Sequence, residues 1–362
     1  MIHYNKTLVI RFSSVGDIVL SSPLIRELRQ RDPQAQVDFL IKDAYADLVR
    51  HNPHLTNIVT PGRDRGLKPL LRLRKEIRRR RYDTVLDIHG SLRSRFLTFG
   101  LRGVRRINKR IIARAVLVHF KRDIYPLFGG SPGVAERYLE TMTPPRVVHD
   151  DLALDLFVPT AAQERARALL DATGIGTDAG TVGICPSARH FTKVWPEDRF
   201  ISVAVSLARR WHAPVAVFGG SDDRDRCGMI TRKIAEESPG TRIADFSGTT
   251  TLLETAAIMD FCRVVVTNDS GLMHVAAARK RPVVAVFGST VRQLGFFPVG
   301  TQHRVVENLH LSCRPCSHIG RSTCPRKHFR CMLDVSPQQV LESVFELVGR
   351  DQPPVSASSS IS

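Results

Sequence analysis

The segment VVVTNDSGLMHVAAA, residues 264–278, decides the fold, because an apolar run ends in a small polar turn that leads directly into an alanine-rich stretch. This order predicts a buried strand followed at once by a helix, as in the phosphate-binding turns of α/β folds. The backbone N–H groups of Ser270, Gly271 and Leu272 then lie at the helix N-terminus, where unpaired donors and the helix dipole favour a diphosphate. Gly271 would let the phosphate approach without a Cβ in the way.

The same turn has a second interpretation, in which its polar residues serve the helix alone. Asn268, Asp269 and Ser270 are all residue types that cap helix N-termini. His274 falls in the first helical turn and faces the mouth of the expected site, where either a ligand-binding or a structural role fits. Both interpretations stay open on these residues alone.

Short β-branched runs alternate with amphipathic stretches on both sides of this segment, which predicts βαβ units on parallel sheets. The predicted strands cover residues 8–12, 37–41, 84–88, 182–185, 215–218, 264–267 and 283–287, and the predicted helices cover residues 18–30, 92–101, 163–172, 200–210, 252–259 and 272–278. The fold class is therefore α/β, with two doubly wound domains that face each other across a cleft.

Prolines mark the predicted boundary between these domains. Pro144, Pro145 and Pro159 interrupt helix and strand alike between residues 143 and 160. We expect an N-terminal domain at residues 1–155 and a C-terminal domain at residues 156–350. The remaining tail, residues 351–362, contains two prolines and five serines and is predicted to be disordered.

A second strand-to-helix junction follows the first predicted strand. Ser13, Ser14 and Gly16 lie in this turn and suit an oxygen-rich ligand, and Asp17 stands at the helix start. Asp17 has two interpretations: a carboxylate that stabilises the helix N-terminus, or a general base that faces the cleft.

Two further loops follow strands of the second domain, where ligands of open α/β sheets bind. The first contains Ser187, Arg189 and Lys193, together with His190, and the second contains Asp223. Asp223 fits an acceptor of hydrogen bonds from ribose hydroxyls, and a solvated helix cap fits equally well.

The charge of the chain is unevenly distributed. The formal net charge is +18, and residues 1–155 hold 29 Lys and Arg against 16 Asp and Glu, which leaves +13 in that half. This asymmetry predicts an anionic partner: nucleic acid, an anionic membrane face or a phosphorylated acceptor. We find no signal-peptide core, and the best candidate for a membrane span, residues 111–120, is too short, so we expect a cytoplasmic protein.

Three segments together resemble a known family. TNDSGLMHVAAA at 267–278, TKVWP at 192–196 and SSVGDI at 13–18, in these positions, look like the ADP-heptose lipopolysaccharide heptosyltransferases of glycosyltransferase family 9. The likeness covers about residues 7–348, and the form of the first segment is closer to the enzymes that add the second heptose.

The resemblance implies a GT-B fold with two Rossmann-like domains, the N-terminal one for the acceptor and the C-terminal one for ADP-heptose. It also implies metal-independent, inverting transfer with no required cofactor. Asp17 then matches the catalytic base, and Lys193 matches the lysine that neutralises the departing diphosphate. The donor-binding positions implied by the same match are Asp269, Ser270, Gly271, His274 and, more loosely because its loop differs in composition, Asp223.

This resemblance suggests a function for one basic stretch. One helix-like stretch carries the cationic side chains Arg72, Arg74, Lys75, Arg78, Arg79, Arg80 and Arg81. Its predicted buried stripe is Leu67, Leu70, Leu71 and Ile77. An acceptor of lipid A and acidic Kdo sugars would attract this face, so we expect peripheral attachment to the cytoplasmic face of the anionic inner membrane. A solvated basic face is the alternative.

Four cysteines cluster late in the chain with a spacing near that of zinc sites. They are Cys313, Cys316, Cys324 and Cys331. A structural zinc is one interpretation, and ordinary packing or free thiols is the other, since disulfides are rare in the cytoplasm.

Three other functions compete with heptose transfer. A basic nucleic-acid-binding protein fits the charge, but no nucleic-acid recognition motif accompanies it. A dinucleotide-dependent oxidoreductase fits the fold, but G-x-G-x-x-G is missing after the first strand. A family 9 enzyme that uses a different nucleotide sugar fits all the motifs, because they do not determine which hydroxyls the sugar pocket recognises.

Overall fold

A computed structural model describes residues 4–62, 66–142, 152–178 and 180–350. These residues contain two separate β-sheets, each built from parallel strands. The predicted disordered tail at residues 351–362 lies outside the described residues, and so do Pro144 and Pro145 of the predicted boundary.

The N-terminal half forms a five-stranded sheet. Its strands are β1 (Lys6–Ile10), β2 (Gln36–Leu40), β3 (Asn57–Val59), β4 (Thr84–Asp87) and β5 (Val104–Arg106). Its helices are α1 (Val15–Val19), α2 (Ser22–Arg31), α3 (Asp47–Arg50), α4 (Leu67–Arg80), α5 (Leu92–Thr98), α6 (Ile111–Phe120) and α7 (Val134–Leu139). The strand order is β3-β2-β1-β4-β5, so the order reverses between β1 and β4.

The C-terminal half forms a six-stranded sheet of the same kind. Its strands are β6 (Thr181–Cys185), β7 (Val215–Val217), β8 (Ile243–Asp245), β9 (Cys262–Asn268), β10 (Val283–Phe287) and β11 (His303–Glu307). Its helices are α8 (Thr160–Ala172), α9 (Glu197–Trp211), α10 (Arg224–Glu237), α11 (Leu252–Met259), α12 (Gly271–Ala278), α13 (Arg330–Leu333) and α14 (Pro337–Val348). The order β11-β10-β9-β6-β7-β8 reverses between β9 and β6, and ligands of open α/β sheets bind at such reversals.

The strands are almost continuously apolar, as expected for sheets covered by helices on both faces. The largest cluster of buried apolar side chains contains residues of both halves, including Val9 and Leu86 from the first sheet and Val265, Met273 and Phe287 from the second half. The two halves therefore share a continuous apolar core and do not meet only through polar surface.

The predicted domain boundary between residues 155 and 156 falls in a segment without helix or strand. The backbone N–H of Asp155 donates to the Ser22 hydroxyl at 2.8 Å, and the Arg279 guanidinium donates to the Leu156 carbonyl at 2.8 Å. The segment is therefore held by both halves, and the limits 1–155 and 156–350 stay a prediction.

Helix α4 differs from its predicted packing. Leu67 and Leu71 are 75% and 53% exposed, whereas Leu73 is buried with Ile77, and Leu70 packs partly against the same cluster. The buried stripe follows the spacing 70, 73 and 77, and Leu71 is rotated by about 100° from Leu70 around the helix. The prediction that Leu67 and Leu71 are buried was wrong, and both leucines are exposed.

Across the part of the chain that the structure describes, we find no helix with the length and apolar character needed to cross a membrane.

Candidate active site

A cavity of about 480 Å³ lies between the carboxyl ends of the two sheets and is lined by residues of both halves. It brings together ten of the twelve predicted catalytic and donor-binding residues: Ser13, Ser14, Gly16, Asp17, Arg189, Lys193, Asp269, Ser270, Gly271 and His274. The loops after β1, β6 and β9 supply these residues, and each of these strands borders a reversal of strand order. Two strand-order reversals thus face each other across one cleft.

Asp17 lies in α1 with its carboxylate at the cavity wall. Its Oδ2 pairs with the Arg11 guanidinium at 2.6 Å and accepts hydrogen bonds from the Ser14 hydroxyl at 2.8 Å and the Ser14 N–H at 3.2 Å. Asp17 therefore does cap the start of its helix, as one interpretation required. It lines the cavity as well, so its position also fits the second interpretation.

The two oxygens of Asp17 differ in their surroundings. Oδ1 accepts one long hydrogen bond, from the Tyr138 hydroxyl at 3.3 Å. Burial opposes ionisation of the carboxyl, but the Arg11 guanidinium and the Ser14 hydrogen bonds outweigh it and lower the pKa of Asp17 below its ordinary value. Burial raises the pKa of Tyr138, so its hydroxyl stays protonated and donates. Asp17 is thus an ionised carboxylate whose Oδ1 is the less occupied oxygen.

Lys193 and Asp269 form an ion pair on the part of the cavity wall that the C-terminal half supplies. Lys193 Nζ lies 2.7 Å from Asp269 Oδ2, which also accepts a hydrogen bond from the Thr290 hydroxyl at 2.6 Å. The two charged side chains are 12% and 5% exposed. The carboxylate therefore fixes the ammonium beside the N-terminus of α12, where an anionic ligand would meet both.

His274 lies in the first turn of α12 and is almost fully buried. Burial lowers its pKa to about 4, so the imidazole is neutral at neutral pH. Its Nδ1 is buried and has no hydrogen-bond partner among the described residues. His274 also lines the cavity, and each nitrogen of a neutral imidazole can donate or accept a hydrogen bond according to the tautomer.

Helices α1 and α12 approach closely at two glycines. A Cβ at Gly16 would lie 2.7 Å from His274 Cδ2, and one at Gly271 would lie 3.1 Å from Val15 Cβ. The missing side chains therefore let the N-terminal ends of the two helices meet across the cleft.

The Gly16→Ala substitution is expected to destabilise the protein by about 1–3 kcal/mol and to lower activity, because the new methyl group displaces His274 or separates the two helices. Denaturant unfolding measures the first effect. Gly180→Ala is the matched control, since a Cβ there meets no atom within 4 Å. Equal stability of the two variants would contradict the close contact.

Ser187 and Asp223 are not among the residues that line the cavity. Asp223 follows β7, which is one strand farther than β6 from the reversal of strand order. Its Oδ2 accepts the Gly220 N–H at 2.8 Å, and it stands at the start of α10. The structure thus gives Asp223 the position of the helix-cap alternative, and its role toward a ribose stays a prediction, as does a donor-binding role for Ser187.

Several residues that line the cavity were not predicted from the sequence. Arg11 and His89 come from the first sheet, and burial together with Arg11 lowers the pKa of His89 to about 4. His318 and Ile319 come from the cysteine-rich segment. Arg11 stands in the same βα turn as Asp17, and this position could have identified it as a site residue. No local sequence feature identifies His89, His318 or Ile319.

The cysteine-rich segment forms one wall of the site. Its backbone is joined to the loop of Lys193, because Thr192 N–H donates to the Arg321 carbonyl at 3.1 Å and Arg321 N–H donates to the Thr192 hydroxyl at 2.8 Å. Cys313 Sγ lies 3.8 Å from His328 Nε2. Within the described ranges, no group of three or more His, Cys, Asp or Glu residues is arranged to hold a metal ion. The suggested zinc site at Cys313, Cys316, Cys324 and Cys331 therefore has no support from the side-chain geometry.

Proteins of known function or structure are similar to this chain in sequence and in fold. The lipopolysaccharide heptosyltransferase 2 of Salmonella typhimurium is 26% identical over 362 residues, which cover 96% of this chain and 99% of that protein. The solved structure of a family 9 glycosyl transferase from Veillonella parvula is similar with a TM-score of 0.76 at 18% identity, covering 96% and 98% of the two chains. The structure of E. coli ADP-heptose lps heptosyltransferase II is similar with a TM-score of 0.69 at 24% identity, covering 95% and 98%.

These structural likenesses confirm the predicted GT-B arrangement of two Rossmann-like domains. The sequence of the chain also matches the family described as "Glycosyltransferase family 9 (heptosyltransferase)" over residues 70–326, which is more than half of its length. The match spans β4 to β11, with the Lys193 loop and the α12 turn inside it. The chain therefore belongs to glycosyltransferase family 9, the heptosyltransferases.

Proposed function

We propose that this protein transfers a heptose from ADP-heptose to the inner core of lipopolysaccharide, with inversion at the anomeric carbon and without a catalytic metal. The observation that carries the proposal is the shared cavity, in which Asp17 from one sheet faces Lys193 and the α12 N-terminus from the other. The names of the Salmonella and E. coli relatives supply the sugar and the acceptor class.

The donor half of the reaction belongs to the C-terminal half of the chain. In the proposal the diphosphate lies at the N-terminus of α12, where Ser270 and Gly271 present backbone N–H groups. Lys193, held by Asp269 at 2.7 Å, neutralises the charge that grows on the departing ADP. A lysine in this place takes the role that a divalent cation has in other nucleotide-sugar enzymes.

The acceptor half belongs to residues 1–155, with Asp17 as the general base. Its lowered pKa keeps the carboxylate ionised at neutral pH, and Oδ1 has only the long Tyr138 contact among the described residues. The acceptor hydroxyl would donate to Oδ1 and lose its proton as its oxygen bonds to the anomeric carbon. In the proposal the base comes from one half of the chain and the diphosphate site from the other, and attack and departure on opposite faces of the sugar give inversion.

The acceptor is proposed to be lipid A bearing acidic Kdo sugars, with or without a first heptose. The net charge of +13 in residues 1–155 suits this anionic molecule and the anionic inner-membrane surface that holds it. Enzyme action at the cytoplasmic face of that membrane, as a peripheral protein, follows from the same proposal.

Calorimetric titration tests the donor assignment. Purified protein is titrated without added metal against ADP-heptose, ADP-glucose, UDP-glucose and NADH. We expect ADP-heptose to bind at least about tenfold more tightly than the other three, because a pocket that hydrogen-bonds specific hydroxyls rejects a sugar without them. Tighter binding of UDP-glucose would indicate a different nucleotide sugar, and tighter binding of NADH would indicate an oxidoreductase. Either result would contradict the proposal.

A further inference from the structure

Large apolar side chains are exposed in one region of the N-terminal half. Of thirteen such side chains in the described residues, nine lie between residues 67 and 128. Five of them surround the start of α6, and we call them the α6 surface: Leu92 (87% exposed), Ile111 (60%), Ile112 (67%), Leu127 (80%) and Phe128 (46%). An apolar concentration of this kind on a folded protein marks a site of interaction.

The α6 surface is assembled from three separate stretches of chain. Lys109 Nζ donates to the Gly90 carbonyl at 3.0 Å, which joins the start of α6 to the start of α5. The Arg110 guanidinium donates to the Phe128 carbonyl, which joins α6 to the turn that follows it. These bonds hold the three stretches that carry the apolar residues next to one another.

The other face of α6 is already packed. Ala113 and Leu117 are buried against Tyr125 and Leu294 in a small core of their own. The helix is thus anchored without help from Ile111 and Ile112, so these two side chains are available to a partner.

The positive charge around the α6 surface favours an anionic partner. Residues 92–128 contain ten Lys and Arg and a single acidic residue, Asp123. A second copy of this chain, bound through the same surface, would bring two such cationic segments together. An anionic lipid bilayer offers negative headgroups for the cations and an apolar interior for the isoleucines, leucines and phenylalanine.

We propose that the α6 surface is the membrane-docking surface of this protein and inserts into the headgroup region of an anionic bilayer. The proposal rests on the proposed function, because a lipid-linked acceptor has to be reached from the membrane. Gly90, which Lys109 contacts, is adjacent to the cavity residue His89. At the other end of α6, Lys121 donates to the Pro315 carbonyl across the cleft at 2.7 Å. Docking through α6 therefore brings the cavity mouth close to the bilayer.

Vesicle flotation with the full-length protein tests the proposal. Phosphatidylcholine vesicles with and without phosphatidylglycerol are compared for the wild type and for the double variant Ile111→Gln, Ile112→Gln. We expect the wild type to float with the anionic vesicles, and we expect the double variant to lose about tenfold to a hundredfold in partition coefficient. The matched control is Leu309→Gln, which removes a leucine that is 75% exposed but lies outside the α6 surface.

Partition coefficients that are the same for the double variant and the wild type would overturn the proposal, as would absence of wild-type flotation. Sedimentation velocity tests the alternative partner: if the wild type is a dimer and the double variant a monomer, the surface binds another copy and the membrane assignment is wrong.

Transfer from ADP-heptose to a deacylated, water-soluble acceptor separates the docking proposal from the proposed function. We expect the double variant to keep this activity; if the wild type lacks it while vesicle binding behaves as expected, docking stands and the proposed function falls.

Discussion

Replacing Asp17 with Asn is expected to lower the rate of heptose transfer by about 10²–10⁴-fold while ADP-heptose still binds, since a general base contributes by roughly this factor. The amide keeps the shape of the carboxylate, and its oxygen can still accept the hydrogen bond from the Ser14 N–H. It cannot take the proton of the acceptor hydroxyl. Single-turnover transfer and donor titration on the same protein measure the two parts of this expectation.

The control for Asp17→Asn is Asp47→Asn, which changes an exposed aspartate in the first turn of another helix. Thermal unfolding is needed beside it, because the substitution also leaves the partly buried Arg11 guanidinium without its carboxylate partner. Assays are therefore run at a temperature at which both variants are folded. A folded Asp17→Asn protein with wild-type transfer would remove Asp17 from the mechanism.

Replacing Lys193 with Ala is expected to lower transfer by about 10²–10³-fold, the cost of losing one preorganised group that stabilises developing negative charge. Donor affinity should fall as well, because the ammonium leaves and the buried Asp269 carboxylate keeps only Thr290 from its present side-chain partners. Lys193→Arg should recover part of the activity, because the guanidinium keeps the charge but has a different shape.

Lys233→Ala is the control for Lys193, since Lys233 is an exposed lysine that pairs with Glu236 on α10. Kinetics at saturating and at low ADP-heptose separate the effect on the chemical step from the effect on binding. A Lys193→Ala enzyme with unchanged kcat would show that the departing diphosphate is neutralised by another group.

Much of the fold follows from local sequence pattern. The apolar run at residues 264–267 lies inside β9, and the polar turn after it opens directly into α12, as the pattern predicts. Such junctions are decided by neighbouring residues, so a single sequence contains the information. The face of α4 that is buried does not follow from local pattern. Leucines lie at 67, 70, 71 and 73, and only the position of the sheet determines which of them pack against it.

The same distinction separates the predicted site residues from the missed ones. Asp17, Lys193 and Asp269 follow strands that border the reversals of strand order, and their loops meet in the cleft. Asp223 follows a strand as well, but β7 lies beyond β6, and the sequence does not reveal strand order. Tyr138 reaches Asp17 from 121 residues away, through the packing of α7, which no local motif encodes.

One measurement tests the central claim most directly. The wild type and Asp17→Asn are incubated with ADP-heptose and, in parallel, with Kdo-lipid A and heptosyl-Kdo-lipid A, and the products are analysed by mass spectrometry and by NMR of the new glycosidic bond. We expect the wild type to add one heptose to one of the acceptors, with inverted anomeric configuration, and the variant to add almost none. Retained configuration, equal transfer by both proteins, or no transfer to either acceptor would contradict the account.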